Sequence, residues 1–270
     1  MPSFLEITPD KLARIIGTPA LPTVIDVRID DDFASDPRRI PGSIRRDFRQ
    51  VTEWGADISG PAIVLCQKGQ KLGHGVAAHL RAMSIEAEVL EGGFEAWRDA
   101  KRILVPEDKL PPRDAKGRTV WVTRSRPKID RIACPWLIRR FIDPTATFLF
   151  VPASEVELVA DRFNATPFDI EGVFWSHRGE LCTFDVMIEE FGLSSEALLR
   201  LATIVRGADT ARPDLAPEVA GLVAVSLGLS RMFNNDLEQL EAGLTVYDAF
   251  YRWCRDATDE THSWPNPRKG

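Results

Sequence analysis

Three short segments of this 270-residue chain carry side chains able to do chemistry. The first is Cys66-Gln67-Lys68-Gly69-Gln70-Lys71, which directly follows the apolar run Ala62-Ile63-Val64-Leu65 and precedes a helical pattern. In open α/β sheets, ligands bind at the carboxyl ends of strands. A loop there can curl around a thiol and aim backbone N–H groups at it, with the next helix N-terminus and the charges of Lys68 and Lys71 adding to the field. All three effects favour the thiolate, which is the nucleophile, and equally an anionic persulfide. Gly69 supplies the backbone freedom such a curl needs. On residue types alone, a buried strand-end thiol stays open as the alternative. His74 and His79 read as surface or half-buried helix residues, because persulfide transfer needs no base once the thiolate exists.

The other two segments lie in the second half. Pro135 reads as the first position of a helix, which would put Cys134 at or near the N-cap, where the dipole favours a thiolate or a bound anion. Arg124, Arg126, Lys128 and Arg131 lie just upstream. Cys134 with Arg131 is therefore an oxyanion or redox candidate, and a solvated basic stretch beside a buried thiol is the competing reading. Finally, His177, Cys182, Asp185 and Glu189 fall close together in the chain. Asp185 and Glu189 are i,i+4 on one helix face, and a tight connection would fold His177 back over them. One histidine with two carboxylates suits iron or manganese. Asp209 or Asp248 could complete the set from other helices, and Cys182 could ligate or merely pack. A solvated acidic helix face is the alternative.

The elements that must position these groups are legible in outline. Thr8 caps a helix that starts at Pro9 and stops at Gly17. Val24–Val27, Ala62–Leu65 and Ala87–Leu90 read as strands. A helix carrying Leu72, Val76, Leu80 and Met83 on one face separates the last two. Another runs from Gly93 to Ala100. This alternation implies a parallel α/β sheet flanked by helices. Residues 101–118 are rich in charge and proline, and the boundary falls there: a module over 1–105, a linker over 106–118, a second domain over 119–256 and a tail over 257–270. The second domain reads as α+β and mostly helical, with strands at Thr119–Thr123 and Thr147–Val151 and a helix over Pro135–Phe141. Further helices begin near Ser154 and Thr183. Val219–Leu229 is apolar nearly all round and predicts a buried central helix.

Hydrophobic residues make up 44% of the chain and charged residues 27%, with a net charge of -6, as expected of a globular protein that does not bind nucleic acid through a broadly basic surface. Four cysteines with no CxxC pair predict reduced thiols and a cytoplasmic location. No apolar stretch is long enough for a membrane span, and the first residues lack the pattern of a signal peptide.

Four segments of the first module resemble the rhodanese family: Ile25-Asp26-Val27-Arg28, Ile40-Pro41-Gly42-Ser43, the six-residue loop from Cys66 to Lys71, and Gly92-Gly93-Phe94-Glu95-Ala96-Trp97. Lys71 stands where that family usually has arginine, a point charge instead of a fork. The resemblance implies a sulfurtransferase with Cys66 as the persulfide carrier, Gln67 to Lys71 on the substrate, and Asp26 and Arg28 bracing the loop, Asp26 as hydrogen-bond acceptor. No cofactor is implied for this step. The partners would be a small sulfane-sulfur donor and a thiol or cyanide acceptor. In the second half, Trp121–Arg124, Arg126–Phe141, Asp169–Val173, Ser176–Gly179, Thr183–Asp185, Val205–Thr210 and Leu227–Ser230 resemble the C-terminal domain of ChrB-type chromate-resistance proteins. That implies a role in chromate or oxyanion stress. A chromate-sensing regulator or oxyanion-binding protein with a weak rhodanese module is the alternative function.

Overall fold

A computed structural model describes residues 5–260; beyond residue 260, the tail read at 257–270 lies outside the described residues. In chain order the first half contains β1 (Glu6–Ile7), α1 (Pro9–Ile15), β2 (Thr23–Asp26), α2 (Asp30–Ser35), β3 (Arg38–Arg39), β4 (Ser43–Arg45), α3 (Val51–Trp54), β5 (Ala62–Leu65), α4 (Lys71–Ala82), β6 (Ala87–Leu90), α5 (Gly93–Asp99) and β7 (Val105–Pro106). The Thr8 hydroxyl accepts the Lys11 N–H, so the cap before Pro9 works as its residue types demand. Five strands form a sheet in the order β1-β6-β5-β2-β4, every neighbouring pair parallel. The two-residue period of a strand sends alternate side chains to opposite faces. Val24, Ile63, Leu65 and Leu90 join one core with Leu12, Phe94 and Trp97. Ile25, Val64, Val89 and Cys66 join the other, against Val76, Ala77 and Leu80 of α4.

The second half is largely helical. Its elements are β8 (Val120–Arg124), α6 (Asp130–Leu137), β9 (Thr147–Val151), α7 (Val156–Phe163), β10 (Thr166–Pro167), α8 (Thr183–Glu190), α9 (Glu196–Asp209), α10 (Val219–Met232) and α11 (Asp236–Asp256). A small parallel sheet orders as β10-β8-β9. Two expectations are corrected here. The helix expected to open at Pro135 begins instead at Asp130, so Pro135 lies inside α6. Pro135 falls past the first four N–H groups, which alone lack intrahelical acceptors, so it removes one bond, to the Arg131 carbonyl. The second correction concerns α10. Val219, Leu222, Ser226 and Ser230 face inward, while Val225, Leu227 and Met232 are exposed. The inward stripe of α10 meets polar groups: Ser226 Oγ accepts the Ile129 N–H, and the Ser230 backbone carbonyl accepts from Arg126. A helix apolar on all sides does not reveal which side turns inward.

The two halves share one continuous core, in which Leu12, Ile16, Trp97 and Val105 lie with Trp136, Phe141 and Tyr251. At the seam, Gly17 has φ +78°, and a Cβ there would stand 2.4 Å from Phe141 Cζ and 2.9 Å from a Tyr251 ring carbon. Glycine thus lets the two rings rest on the end of α1. The Gly42 N–H donates to the Phe141 carbonyl at 2.6 Å. The segment after α5 is anchored as well: β7 pairs antiparallel with β3, Arg39 pairs with Glu107, and Lys109 reaches Glu190 at 2.8 Å. Among the described residues, no helix is long and apolar enough to cross a membrane.

Candidate functional sites: the Cys66 loop and an acid–histidine cluster

Cys66 emerges from β5, whose four residues are all buried, and is itself 5% exposed. The thiol rests over the first turn of α4, where a Cβ on Gly73 would be 3.4 Å from Sγ. A Cβ there would meet Sγ in ordinary van der Waals contact, so the thiol lies against the helix start, where partial positive charge accumulates. Within the loop, the thiol donates to the Gln70 carbonyl at 3.9 Å. The loop is clamped from the other side by the start of α5. Phe94 N–H donates to the Cys66 carbonyl at 2.9 Å and Glu95 N–H to the Gln67 carbonyl at 3.0 Å. Gln67 Nε2 adds a bond to Glu95 Oε1 at 3.2 Å. Backbone meets backbone here. A Cβ on Gly93 (φ +61°) would lie 2.2 Å from the Cys66 carbonyl oxygen and 2.4 Å from Gly69 N. Lys68, Gln70 and Lys71 are exposed, Gln67 and Gly69 half-buried. Lys68 and Lys71 enter no ion pair among the described residues, so their charge is available at the loop. His79 is exposed, and His74 faces Glu6 at 3.3 Å; neither stands at the thiol.

Asp26 and Arg28 do not touch this loop directly, which corrects the expectation that Asp26 accepts a hydrogen bond from it. Both side chains are fully buried and locked to each other, Arg28 Nη2 to Asp26 Oδ2 at 2.6 Å and Nε to the same oxygen at 2.9 Å. Arg28 also donates to the carbonyls of Asp36 and Arg38, and its guanidinium lies 3.7 Å over the Phe94 ring. Support reaches Cys66 through Phe94, whose N–H holds the Cys66 carbonyl. A buried ion pair survives when hydrogen bonds satisfy its remaining donors, as the two carbonyls do here.

In the second half, His177 comes together with a different set of carboxylates from those its sequence neighbours suggested. His177 Nε2 lies 3.1 Å from Asp209 Oδ2, 3.5 Å from Asp169 Oδ1 and 3.7 Å from Asp130 Oδ2. Asp185 and Glu189 form no ion pair with it among the described residues. Asp185 is spent on the start of its own helix and on α9: it accepts the Cys182 N–H at 3.1 Å and thiol at 3.2 Å, and Arg206 at 2.9 Å. That is a capping-box role, the ordinary use of a carboxylate in the first turn. Glu189 is exposed. Asp248 holds Trp136 Nε1 and Arg140, away from His177.

Asp130 opens α6, Asp209 ends α9, and Asp169 sits in the loop after β10. Local backbone strain sets this convergence. Ile129, just before Asp130, has φ +41°, a region β-branched residues rarely enter, and Asp169 has φ +52°. Asp130 is fully buried; its Oδ2 accepts the Phe184 N–H at 3.3 Å. Its acidity is pushed well below the carboxylate norm, its pKa raised by burial and then by Asp209 and Asp169. Burial also raises Asp209. His177 is raised to about 9, first by its hydrogen bond to Asp169 and further by the charges of Asp130 and Asp209. Asp169 is the best satisfied of the three carboxylates, with Thr183 Oγ1 at 2.9 Å, Arg131 Nε at 3.3 Å and Arg124 Nη2 at 3.5 Å. Asp130, His177 and Asp209 each offer a ligand atom within 4.8 Å of the others, a spacing one metal ion can bridge.

The Cys134 expectation is overturned. Cys134 lies inside α6 with no exposure, and burial raises its thiol pKa well above the ordinary value, so it is neither an N-cap thiolate nor an anion site. Arg131, its expected partner, pairs with Asp169 instead. Cys182 is fully buried too, its thiol pKa raised by burial. Asp130 and Asp169 were missed because a helix start read five residues late made Asp130 look like part of a basic loop. The signal available was an acid immediately before Arg131-Ile132-Ala133, where a helix N-terminus favours one.

A rhodanese-like α/β module fused to a mainly helical domain is the class of protein this fold defines. Residues 8–100 match the Rhodanese-like domain model, and residues 121–254 match the model described as ChrB, C-terminal domain. The chain is 37% identical over 224 residues to Protein ChrB of Cupriavidus metallidurans, covering 75% of this chain and 67% of that protein. The chain belongs to the ChrB family. It is also similar to a rhodanese-related protein from Thermoplasma volcanium (20% identity, 38% of this chain, 98% of that one, TM-score 0.33). A rhodanese-like domain protein from Staphylococcus aureus is similar at 24% identity (34% and 89% covered, TM-score 0.31).

Proposed function

We propose that the chain is a sulfurtransferase that carries sulfur as a persulfide on Cys66, joined to a half that serves chromate or oxyanion stress. The observation that carries this reading is the clamped loop: Cys66 Sγ over the first turn of α4, its carbonyl and that of Gln67 held by the N–H groups of Phe94 and Glu95. Those two carbonyls are engaged by α5, while Sγ rests against the start of α4, where partial positive charge suits an anionic persulfide. The Cys66 thiolate attacks the outer sulfur of a sulfane donor such as thiosulfate. A new S–S bond forms as the donor's S–S bond breaks, and sulfite leaves with the electron pair. A thiol or cyanide then attacks the outer sulfur of the persulfide; with cyanide, thiocyanate departs and the thiolate returns. Gln67 to Lys71 surround the donor, with Lys68 and Lys71 drawing anions to the loop. Asp26 and Arg28 act as positioning residues through Phe94. The four unpaired cysteines support work in a reducing cytoplasm. Similarity to ChrB supports the oxyanion-stress role of the second half.

The test is cyanide-dependent thiocyanate formation from thiosulfate by the wild type and Cys66→Ser, with mass spectrometry for a one-sulfur adduct on Cys66. Turnover with an adduct in the wild type and neither in the variant is the expected result. Equal thiocyanate formation by both proteins would end the reading.

A further inference from the structure

We propose that Asp130, His177 and Asp209 bind one divalent first-row metal ion, of the manganese(II) or iron(II) type, with Asp169 orienting the histidine. This site stands apart from the chemistry of Cys66, so the two readings fail separately. Two independent observations point to a cation. The first is geometric: one ligand atom from each of the three residues lies within 4.8 Å of the other two. The second is an unsatisfied atom. Asp130 has no solvent exposure, yet its Oδ1 has no hydrogen-bond partner. The Cys182 thiol lies close enough to favour the Asp130 carboxylate, but its one proton is shared with Asp185 at 3.2 Å. A buried carboxyl group with one bare oxygen is costly, and such groups are ordinarily hydrogen-bonded, paired or used to coordinate metals.

Arg131 and Arg124 lie on Asp169, which leaves Asp130 and Asp209 facing the single imidazole of His177 as the candidate ligands. Asp169 then takes the outer role usual for a ligating histidine, a carboxylate that fixes ring orientation and is itself anchored, here by Thr183 Oγ1 and Arg131. Two carboxylates with one imidazole form a hard-to-borderline donor set suited to manganese or iron. The site is also reachable: His177 borders an open cleft of 380 Å³ lined by Arg124, Asp169, Glu171, Gly172 and Ser176. With three protein ligands, the ion would keep positions facing this cleft, and Arg124 at its rim would favour an anionic occupant.

The experiment is titration of the metal-stripped full chain with manganese(II), followed by calorimetry and by the loss of free-ion EPR signal. One ion per chain is expected, with affinity falling at least tenfold in Asp209→Asn and in His177→Ala. Both positions are partly exposed, and circular dichroism checks that the variants fold. Pulsed EPR of manganese bound to the wild type provides a measurement that needs no variant: nitrogen coupling from one imidazole is expected. Absence of saturable binding for manganese(II) and, anaerobically, iron(II) overturns the proposal. So does binding that survives both substitutions, or a bound ion with no nitrogen coupling.

Discussion

Gly93→Ala is the sharpest test of how the Cys66 loop is held. The added methyl would stand 2.2 Å from the Cys66 carbonyl oxygen, 2.4 Å from Gly69 N and 2.9 Å from the Gln67 carbonyl oxygen. All three are backbone atoms, so no side chain can rotate away. Carbon and oxygen settle near 3.3 Å or more, so the loop must retreat by about 1 Å, and a misplacement of that size at a reacting group costs about 100-fold in rate. Stability suffers too. Alanine held at positive φ costs about 1–2 kcal/mol, and overpacking adds about 1–3 kcal/mol. The expected result is a loss of about 2–5 kcal/mol in urea unfolding with thiocyanate formation down about 100-fold. Gly75→Ala is the matched control: it lies in α4 with nothing within 4 Å of its added methyl. There alanine should stabilise by about 0.5–1 kcal/mol through helix propensity and leave the rate alone. If Gly93→Ala keeps wild-type stability and rate, the interlock of loop and α5 does not hold the thiol, and the reasoning fails.

Asp26→Ala strips Arg28 of its carboxylate while leaving the guanidinium buried, and should cost about 3–5 kcal/mol in equilibrium unfolding; a change under about 1 kcal/mol would show that the pair is neutral to stability. Phe141→Ala empties the space over Gly17 and should cost about 3–5 kcal/mol, read as a shifted urea midpoint with an unchanged slope. Gly228→Ala, in the open outer face of α10, should stabilise by about 0.5–1 kcal/mol; destabilisation would mean that this face is packed.

Much of the first half was legible because its signals are local. The strands at Ala62–Leu65 and Ala87–Leu90 are short apolar runs, and the Thr8 cap and Pro9 carry their meaning in residue type. The motif Gly92-Gly93 was visible, but what it does, pressing a bare backbone against the Cys66 carbonyl, is a contact between distant segments. The second half was read less well. Pro135 looks like a helix start because it often is one, yet the preceding turn from Asp130 already commits the chain. That error hid Asp130 and misdirected His177 toward Asp185, its neighbour in sequence. The actual grouping of Asp130, Asp169 and Asp209 joins three separate elements through positive-φ backbone at Ile129 and Asp169, residue types that do not announce such angles. Arg28 paired with Asp26 two residues earlier was within reach of sequence reasoning; its seat on Phe94 was not.

Because Phe141 and Tyr251 of one half fill the space over Gly17 of the other, melting either half bares apolar surface of both. The chain should therefore be all-or-none toward heat and denaturant, and occupancy becomes communal. A ligand that grips only the native second half, present at about a hundred times its dissociation constant, deepens the native well by about 2.7 kcal/mol. That gain protects the sulfur-bearing cysteine at the far side of the seam as much as the residues in contact with the ligand. A reactive persulfide would thus be sheltered by a binding event that never touches it, and a separated first half would lose this shelter along with its cover of aromatic rings.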